Sequence, residues 1–181
     1  MPPTDPSGHV DLRALIRDVP DFPRPGIVFK DITPLLLDPI ALDVAIMGLA
    51  AVAAPLSVEL VVAAEARGFI LGAALARALG AGFVPARKPG RLPRGTVSAP
   101  YSLEYGLDAL EIHADALAPG SRLLVHDDLL ATGGTAGAMC DLAGSLGAEV
   151  VGCSFLIELS FLGGRAALAP RPVHALIEYQ S

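Results

Sequence analysis

Residues 122–137 read Arg-Leu-Leu-Val-His-Asp-Asp-Leu-Leu-Ala-Thr-Gly-Gly-Thr-Ala-Gly. The apolar run Leu123-Leu124-Val125, bounded by polar residues, predicts a buried strand. The small-residue turn Ala131-Thr132-Gly133-Gly134-Thr135 leads into an Ala-rich segment, so a helix should start there. Between strand and turn stand two acids, Asp127 and Asp128. A helix start offers unpaired N–H groups and the positive end of its dipole, which together attract a phosphate. Glycines let the backbone come close to it, and the threonine hydroxyls add donors. Two carboxylates would repel a bare anion, so they point to something held beside the phosphate, such as vicinal sugar hydroxyls or a hydrated Mg²⁺. A ribose 5-phosphate fits both halves of the pattern. A plain strand-to-helix turn, with acids favouring the dipole, fits the same residues. Neither GxxxxGK[ST] nor GxGxxG is present.

The same order of elements occurs twice. Val58–Ala63 predicts a strand, Glu65-Ala66-Arg67-Gly68 a turn, Phe69–Leu79 a helix closed by Gly80, and Ala81–Ala86 a second strand. Leu123–Val125, the turn, a helix to Leu146 and a strand Val150–Ile157 repeat that plan, and both helices end in Leu-Gly-Ala. Such alternation predicts an α/β fold with a mainly parallel, doubly wound sheet flanked by helices. Ligands bind these sheets at the carboxyl ends of strands. Glu65–Gly68 and Asp127–Thr135 should therefore share one rim. A further helix is expected over Asp38–Ala54, a hairpin over Tyr101–Gly106 with Leu110–His113, and a last strand over Val173–Tyr179.

A chain of 181 residues suggests one domain with a sizeable core. Residues 1–10, rich in Pro, Ser, Thr and Gly, are expected to be disordered, leaving 11–181 as the domain. Mean hydropathy is high at +0.55, yet the longest apolar run, Val44–Leu56, is too short to span a bilayer. The start MPPTDPSGHVD lacks a basic region followed by an apolar core, so a cytoplasmic protein without a membrane partner is expected. A net charge of −6 speaks against a nucleic-acid partner. Cys140 and Cys153 read as small buried thiols, and no Cys/His cluster has metal-ligand spacing. Ala86–Gly95 carries Arg87, Lys88, Arg91 and Arg94 with no acid among them. That loop is either solvated surface or a mobile lid over a polyphosphate.

The run from Asp127 to Thr135 resembles the signature of type I phosphoribosyltransferases, and its wording is closest to the adenine-specific members. PDFPRPGIVFKDIT (20–33), AEARGF (64–69) and YSLEYG (101–106) extend the resemblance from about Ile16 to Tyr179. It implies a single-domain type I phosphoribosyltransferase fold with a small hood and a mobile lid loop. The implied reaction converts adenine and 5-phospho-α-D-ribose 1-diphosphate to AMP and pyrophosphate, in purine salvage. Mg²⁺ would be held mainly by that substrate and water, with no direct protein ligand, and the chain would form a homodimer.

Family resemblance also assigns residues. Ala131, Thr132, Gly133, Gly134 and Thr135 would hold the 5-phosphate, and Asp127 and Asp128 the ribose hydroxyls. Glu65, Ala66 and Arg67 would form the pyrophosphate loop, with a non-proline cis peptide at Glu65–Ala66. Arg87, Lys88 and Arg91 would also face pyrophosphate. Val28, through its backbone, with Lys30 and Leu159, would hold adenine. Glu104 would act with Arg67 as a catalytic residue, handling a proton of the purine, and Tyr105 would close the lid. Glu158 would act near the sugar or metal. This chain departs from the pattern at Ala63, where Gly is commoner, at Arg91, where Lys is, and at His126, where an aliphatic residue is usual. For His126 a satisfied core position is expected. Two rivals stay open. One is a transferase for hypoxanthine, guanine or xanthine, against which the segment around Val28 and Lys30 speaks. The other is a non-catalytic regulator binding nucleotide and DNA, against which the lack of a basic cluster before Pro20 speaks.

Overall fold

The computed structural model describes residues 2–103 and 106–181, and at positions 101–103 and 106–107 only their backbone. The chain divides into two compact units, Met1–Gly48 and Leu49–Ser181.

In the first unit, Thr4 bridges Val10 across a turn, and the Asp5 carboxylate accepts from the Ser7 and His9 N–H groups. The Pro-rich stretch around 20–25 lies in a short hairpin. Strand β1 (Arg17–Pro20) pairs antiparallel with β2 (Val28–Asp31), Pro20 opposite Val28. Their connection carries a cis Phe22–Pro23 peptide and Gly26 at φ +86°. The Asp21 carboxylate closes it by accepting from the Gly26 N–H at 2.7 Å. Strands of four residues, one ending in proline, are too short to print an alternating pattern.

Helix α1 (Thr33–Leu37) is followed by α2 (Pro39–Ala53). The Asp38 carboxylate caps α2, accepting from the Ile40 and Ala41 N–H groups at 2.9 and 3.0 Å. One face of α2 is buried, through Ala41, Ala45, Leu49 and Ala53. Another is apolar and open: Ile40 is 50% exposed, Val44 38% and Met47 55%, and Leu37 just before the helix 83%. The helix starts earlier than the apolar run suggests, and with the 3₁₀ turn after it Pro39–Leu56 has mean hydropathy 1.9 over 18 residues. By length and composition it is long enough to cross a bilayer, a test that core helices of soluble proteins also pass.

The second unit is built on a five-stranded sheet in the order β4-β3-β7-β8-β9. The strands are β3 (Leu60–Ala64), β4 (Gly82–Ala86), β7 (Arg122–Leu130), β8 (Glu149–Leu159) and β9 (Val173–Tyr179), all parallel. Helices α3 (Arg67–Leu79), α4 (Gly134–Ser145) and α5 (Gly164–Ala167) join them, and an antiparallel hairpin, β5 (Thr96–Leu103) with β6 (Gly106–His113), precedes β7. Val62, Ala64, Leu123, Val125, Cys153 and Phe155 form one buried cluster with Met139, Cys140, Leu142 and Ala143 of α4. Across the sheet, α3 lies close because Gly72 has no side chain. A Cβ there would stand 2.7 Å from the Ala63 Cβ and 3.2 Å from the Phe83 ring. Phe69 and Phe83 add an edge-to-face contact at 5.8 Å. Gly80 ends α3 in the left-handed conformation at φ +67°. Cys140 and Cys153 are free buried thiols with their Sγ atoms 3.9 Å apart.

From β3 the chain moves outward to β4, then returns to place β7 on the other side of β3. That reversal opens a crevice between the carboxyl ends of β3 and β7, where doubly wound sheets bind ligands.

Candidate active site

Both loops singled out by the sequence leave strands at this crevice. The Glu65–Ala66 peptide that follows β3 is cis. Arg67 opens α3, and its Nε lies 3.0 Å from Oδ2 of Asp128. A Cβ at the next residue, Gly68, would stand 2.6 Å from Oδ1 of Asp127. The start of α3 thus rests directly on the acid pair, and only glycine fits at that contact.

The two acids are part of β7 and not a tip beyond it. Strand pairing continues past them, with Asp127 opposite Phe155 and Leu129 opposite Ile157. Asp128 is 4% exposed, and its N–H donates to Oδ1 of Asp127 at 2.9 Å. Burial, then the neighbouring Asp128 charge, push the Asp127 carboxyl well above the usual carboxylate range. Burial also raises Asp128, while the Arg67 guanidinium pulls it down. Such a pair gains by ionising when hydroxyl donors arrive to share its charge.

Residues 131–135 carry the chain from β7 into α4. Gly133 sits at φ +88°, and a Cβ there would stand 2.9 Å from the carbonyl oxygen of Gly164. Glycine is required on both counts. The Gly137 N–H already bonds to the Gly133 carbonyl at 2.8 Å. The first-turn N–H groups before it have no partner within the helix, which suits them to an anion.

The basic loop lies against acids from other parts of the chain, which pair with Arg87, Lys88 and Arg94. Nε of Arg87 is 2.7 Å from Oε2 of Glu65, and the Lys88 N–H donates to Oε1 of the same carboxylate at 3.0 Å. Burial pushes the Glu65 carboxyl up, but these bonds outweigh it and hold the group below its usual range. Lys88 Nζ stands 3.1 Å from Asp108, and Arg94 Nη1 2.5 Å from Asp115. Arg87 Nη1 donates to the Arg91 carbonyl at 3.0 Å, and the Arg91 side chain is exposed. A polyphosphate entering here would exchange with carboxylates for Arg67, Arg87 and Lys88.

The residues expected around a base fall in both units. In the first, Val28 is 48% exposed on β2, and Lys30 is 8% exposed with Nζ 2.6 Å from Asp18. In the second, Leu159 is half-buried at the end of β8. Glu104 and Tyr105 lie outside the described residues.

His126 is fully buried, with Nδ1 3.0 Å from the Ser154 hydroxyl. Burial lowers its pKa to about 4, so the ring is neutral and structural. Glu158, expected near the sugar or metal, is held by a neighbouring cation instead of standing open. It is 2% exposed, and Arg165 grips both its oxygens. Arg165 and Gly164 carried no role in the sequence. Among the described residues, no three His, Cys, Asp or Glu side chains are grouped to hold a metal.

Residues 46–168 match the family model of the phosphoribosyl transferase domain. The adenine phosphoribosyltransferase of Synechococcus sp. (strain JA-3-3Ab) is 58% identical over 174 residues, covering 95% of this chain and 99% of that protein. The crystal structure of adenine phosphoribosyltransferase from Thermoanaerobacter pseudethanolicus matches with TM-score 0.91 at 50% identity, over 93% of this chain and 98% of that one. The Saccharomyces cerevisiae enzyme, complexed with adenine and D-2,5-dideoxy-2,5-imino-altritol 1,6-bisphosphate, matches with TM-score 0.85 at 38% identity, over 91% and 96%.

Proposed function

The chain belongs to the phosphoribosyl transferase family, and from that premise we propose how its residues divide the work of an adenine phosphoribosyltransferase. The reaction moves the 5-phosphoribosyl group of 5-phosphoribosyl 1-pyrophosphate to N9 of adenine, giving AMP and pyrophosphate. The observation that carries the assignment of roles is the contact of Arg67 with Asp128 at 3.0 Å, which joins the two loops at one rim. One substrate spanning both loops would place its 5-phosphate at residues 131–135, its ribose hydroxyls on Asp127 and Asp128, and its pyrophosphate at Glu65, Ala66 and Arg67.

As pyrophosphate leaves C1, positive character builds on the ribose and negative charge on the leaving group. Arg67 meets that charge at the start of α3, with Arg87, Lys88 and Arg91 approaching from the lid. Holding both ends of the ribose fixes C1 against the incoming N9. Val28, Lys30 and Leu159 hold the base, Glu104 handles its proton, and Tyr105 helps close the lid. Mg²⁺ needs only one or two carboxylates when substrate phosphates supply the rest. An acid pair already countered by Arg67 fits an ion that arrives on the substrate with its water. Mg²⁺ carried in by the substrate, near Asp127 and Asp128, would lower the charge of the pyrophosphate.

A second copy of the chain is the partner proposed for the open face formed by Leu37, Ile40, Val44 and Met47. Its spacing is that of a helix packing stripe, and Asp43 is the one charge in Pro39–Leu56. Met47→Glu should convert a dimer to a monomer in sedimentation equilibrium, and an unchanged mass would place the interface elsewhere. A cytoplasmic setting without membrane attachment is proposed alongside, in keeping with two free thiols.

The testing experiment is turnover with Mg²⁺ and 5-phosphoribosyl 1-pyrophosphate, offering adenine, hypoxanthine, guanine and xanthine separately. AMP from adenine alone is expected, and a 6-oxopurine product would overturn the base assignment. Glu104→Ala should lower turnover by about 10²-fold while 5-phosphoribosyl 1-pyrophosphate still binds. Folded wild-type protein that binds this substrate yet turns over no base would be a regulator.

A further inference from the structure

The phosphate loop does not stand alone. Gly164, the first residue of α5, lies against it so closely that a Cβ would stand 2.3 Å from the Ala131 carbonyl oxygen and 2.8 Å from Cδ1 of Leu130. The contact is reciprocal, since a Cβ at Gly133 would stand 2.9 Å from the Gly164 carbonyl oxygen and 3.1 Å from the Ala167 Cβ. Two stretches of bare backbone touch, and neither has a side chain to absorb a shift.

The next residue holds α5 in place. Nε of Arg165 donates to Oε1 of Glu158 at 3.0 Å, Nη2 donates to Oε2, and Nη1 donates to the Val173 carbonyl at 2.6 Å. Glu158 is buried on β8, paired in register with Leu130, the last residue before the loop. Arg165 therefore ties α5 to β8 and to the start of β9. Its outer side remains half-exposed, on a cleft of about 610 Å³ that Arg171 and Glu178 also line.

We propose that Gly164 and the Glu158–Arg165 pair are positioning residues of the phosphate loop, setting the height of the Ala131–Gly133 backbone and through it the affinity for a 5-phosphate. The proposal rests on the assignment of residues 131–135 to that phosphate. Backbone donors act over a few tenths of an ångström, so a displaced loop loses several bonds together. The fork matters more than the charge, because the planar guanidinium fixes the orientation of α5 while an ammonium would only attract it.

The test uses calorimetric titration of the full chain with ribose 5-phosphate and, separately, inorganic pyrophosphate. Gly164→Ala forces apart the two backbones, and Arg165→Gln removes the fork. Both should weaken ribose 5-phosphate by about tenfold or more and leave pyrophosphate unchanged. In turnover, KM for 5-phosphoribosyl 1-pyrophosphate should rise more than kcat falls, and Arg165→Lys should stay impaired. Unchanged ribose 5-phosphate affinity in folded Gly164→Ala and Arg165→Gln would overturn the proposal. So would an equal weakening of both ligands with a lowered Tm, which marks a general packing defect.

Gly134→Pro removes one loop N–H at a position where proline suits a helix start. If that variant binds ribose 5-phosphate like wild type, the loop assignment itself falls. If it loses binding while Gly164→Ala and Arg165→Gln keep theirs, the positioning proposal alone falls.

Discussion

Arg67→Met should lower kcat/KM for 5-phosphoribosyl 1-pyrophosphate by about 10³-fold and move the acid limb of its pH profile upward. The side chain does two things at once. It supplies a cation where the leaving pyrophosphate gathers charge, and its Nε lies 3.0 Å from the Asp128 carboxylate. Methionine keeps the apolar stem and removes both. Burial raises both acids above the usual carboxylate range, and Arg67 opposes that rise. Without it they hold their protons to higher pH, and a protonated acid is a poorer acceptor for ribose hydroxyls. Steady-state kinetics across pH separates the two jobs. A lower kcat/KM with an unmoved acid limb would confine Arg67 to pyrophosphate. A value within tenfold of wild type would remove it from the reaction.

Asp127→Asn should lower activity on the order of 10³-fold, while the unliganded protein becomes more heat-stable at neutral pH. Hydrogen bonds to a charged acceptor contribute about 1.5–3 kcal/mol each, so losing the charged partner of two hydroxyls reaches that scale. Stability moves the other way because the folded-state pKa of Asp127 lies above its ordinary value of 3.8. For a raised acid, the folded state binds more protons than the unfolded chain. Its stability contribution is fully present below the ordinary value and lost as pH rises through the folded one. Ionising Asp127 beside Asp128 therefore costs the folded protein stability as pH rises, and asparagine removes that cost while keeping the oxygen that accepts from the Asp128 N–H. A rise in Tm of about 2–4 °C is expected, the shift produced by ~1 kcal/mol in a chain of this size. The advantage should vanish below pH 4. An Asp127→Asn protein less stable than wild type at pH 7 would show that the acid pair is not strained in the free enzyme.

Much of this site could be read before any coordinates. Hydrophobic runs and the Gly-terminated helices are local features, so the two strand–helix–strand units and Gly80 at its helix end follow from short windows of sequence. Switch-point geometry follows from the alternation, which placed Arg67 and Asp128 on one rim. What remained hidden depends on distant partners. Nothing near Asp127 shows that β8 pairs alongside it and carries the strand through both acids. The basic run at 87–94 looks uncompensated because Glu65, Asp108 and Asp115 lie 20 or more residues away in sequence from the cations they meet. Glu158 reads as a site carboxylate beside Leu159 until Arg165, seven residues on, is found holding it. Gly68 and Gly164 leave no trace in hydropathy, since their role is to have no side chain where one meets the Asp127 carboxylate and the other the Ala131 carbonyl.

The division of the chain after Gly48 bears on how such an enzyme can diversify. Groups assigned to phosphates, ribose and pyrophosphate all fall in 49–181, while Val28 and Lys30 fall in 1–48. On the roles proposed above, change confined to the first segment would alter the base accepted while the groups proposed for the common donor stay as they are.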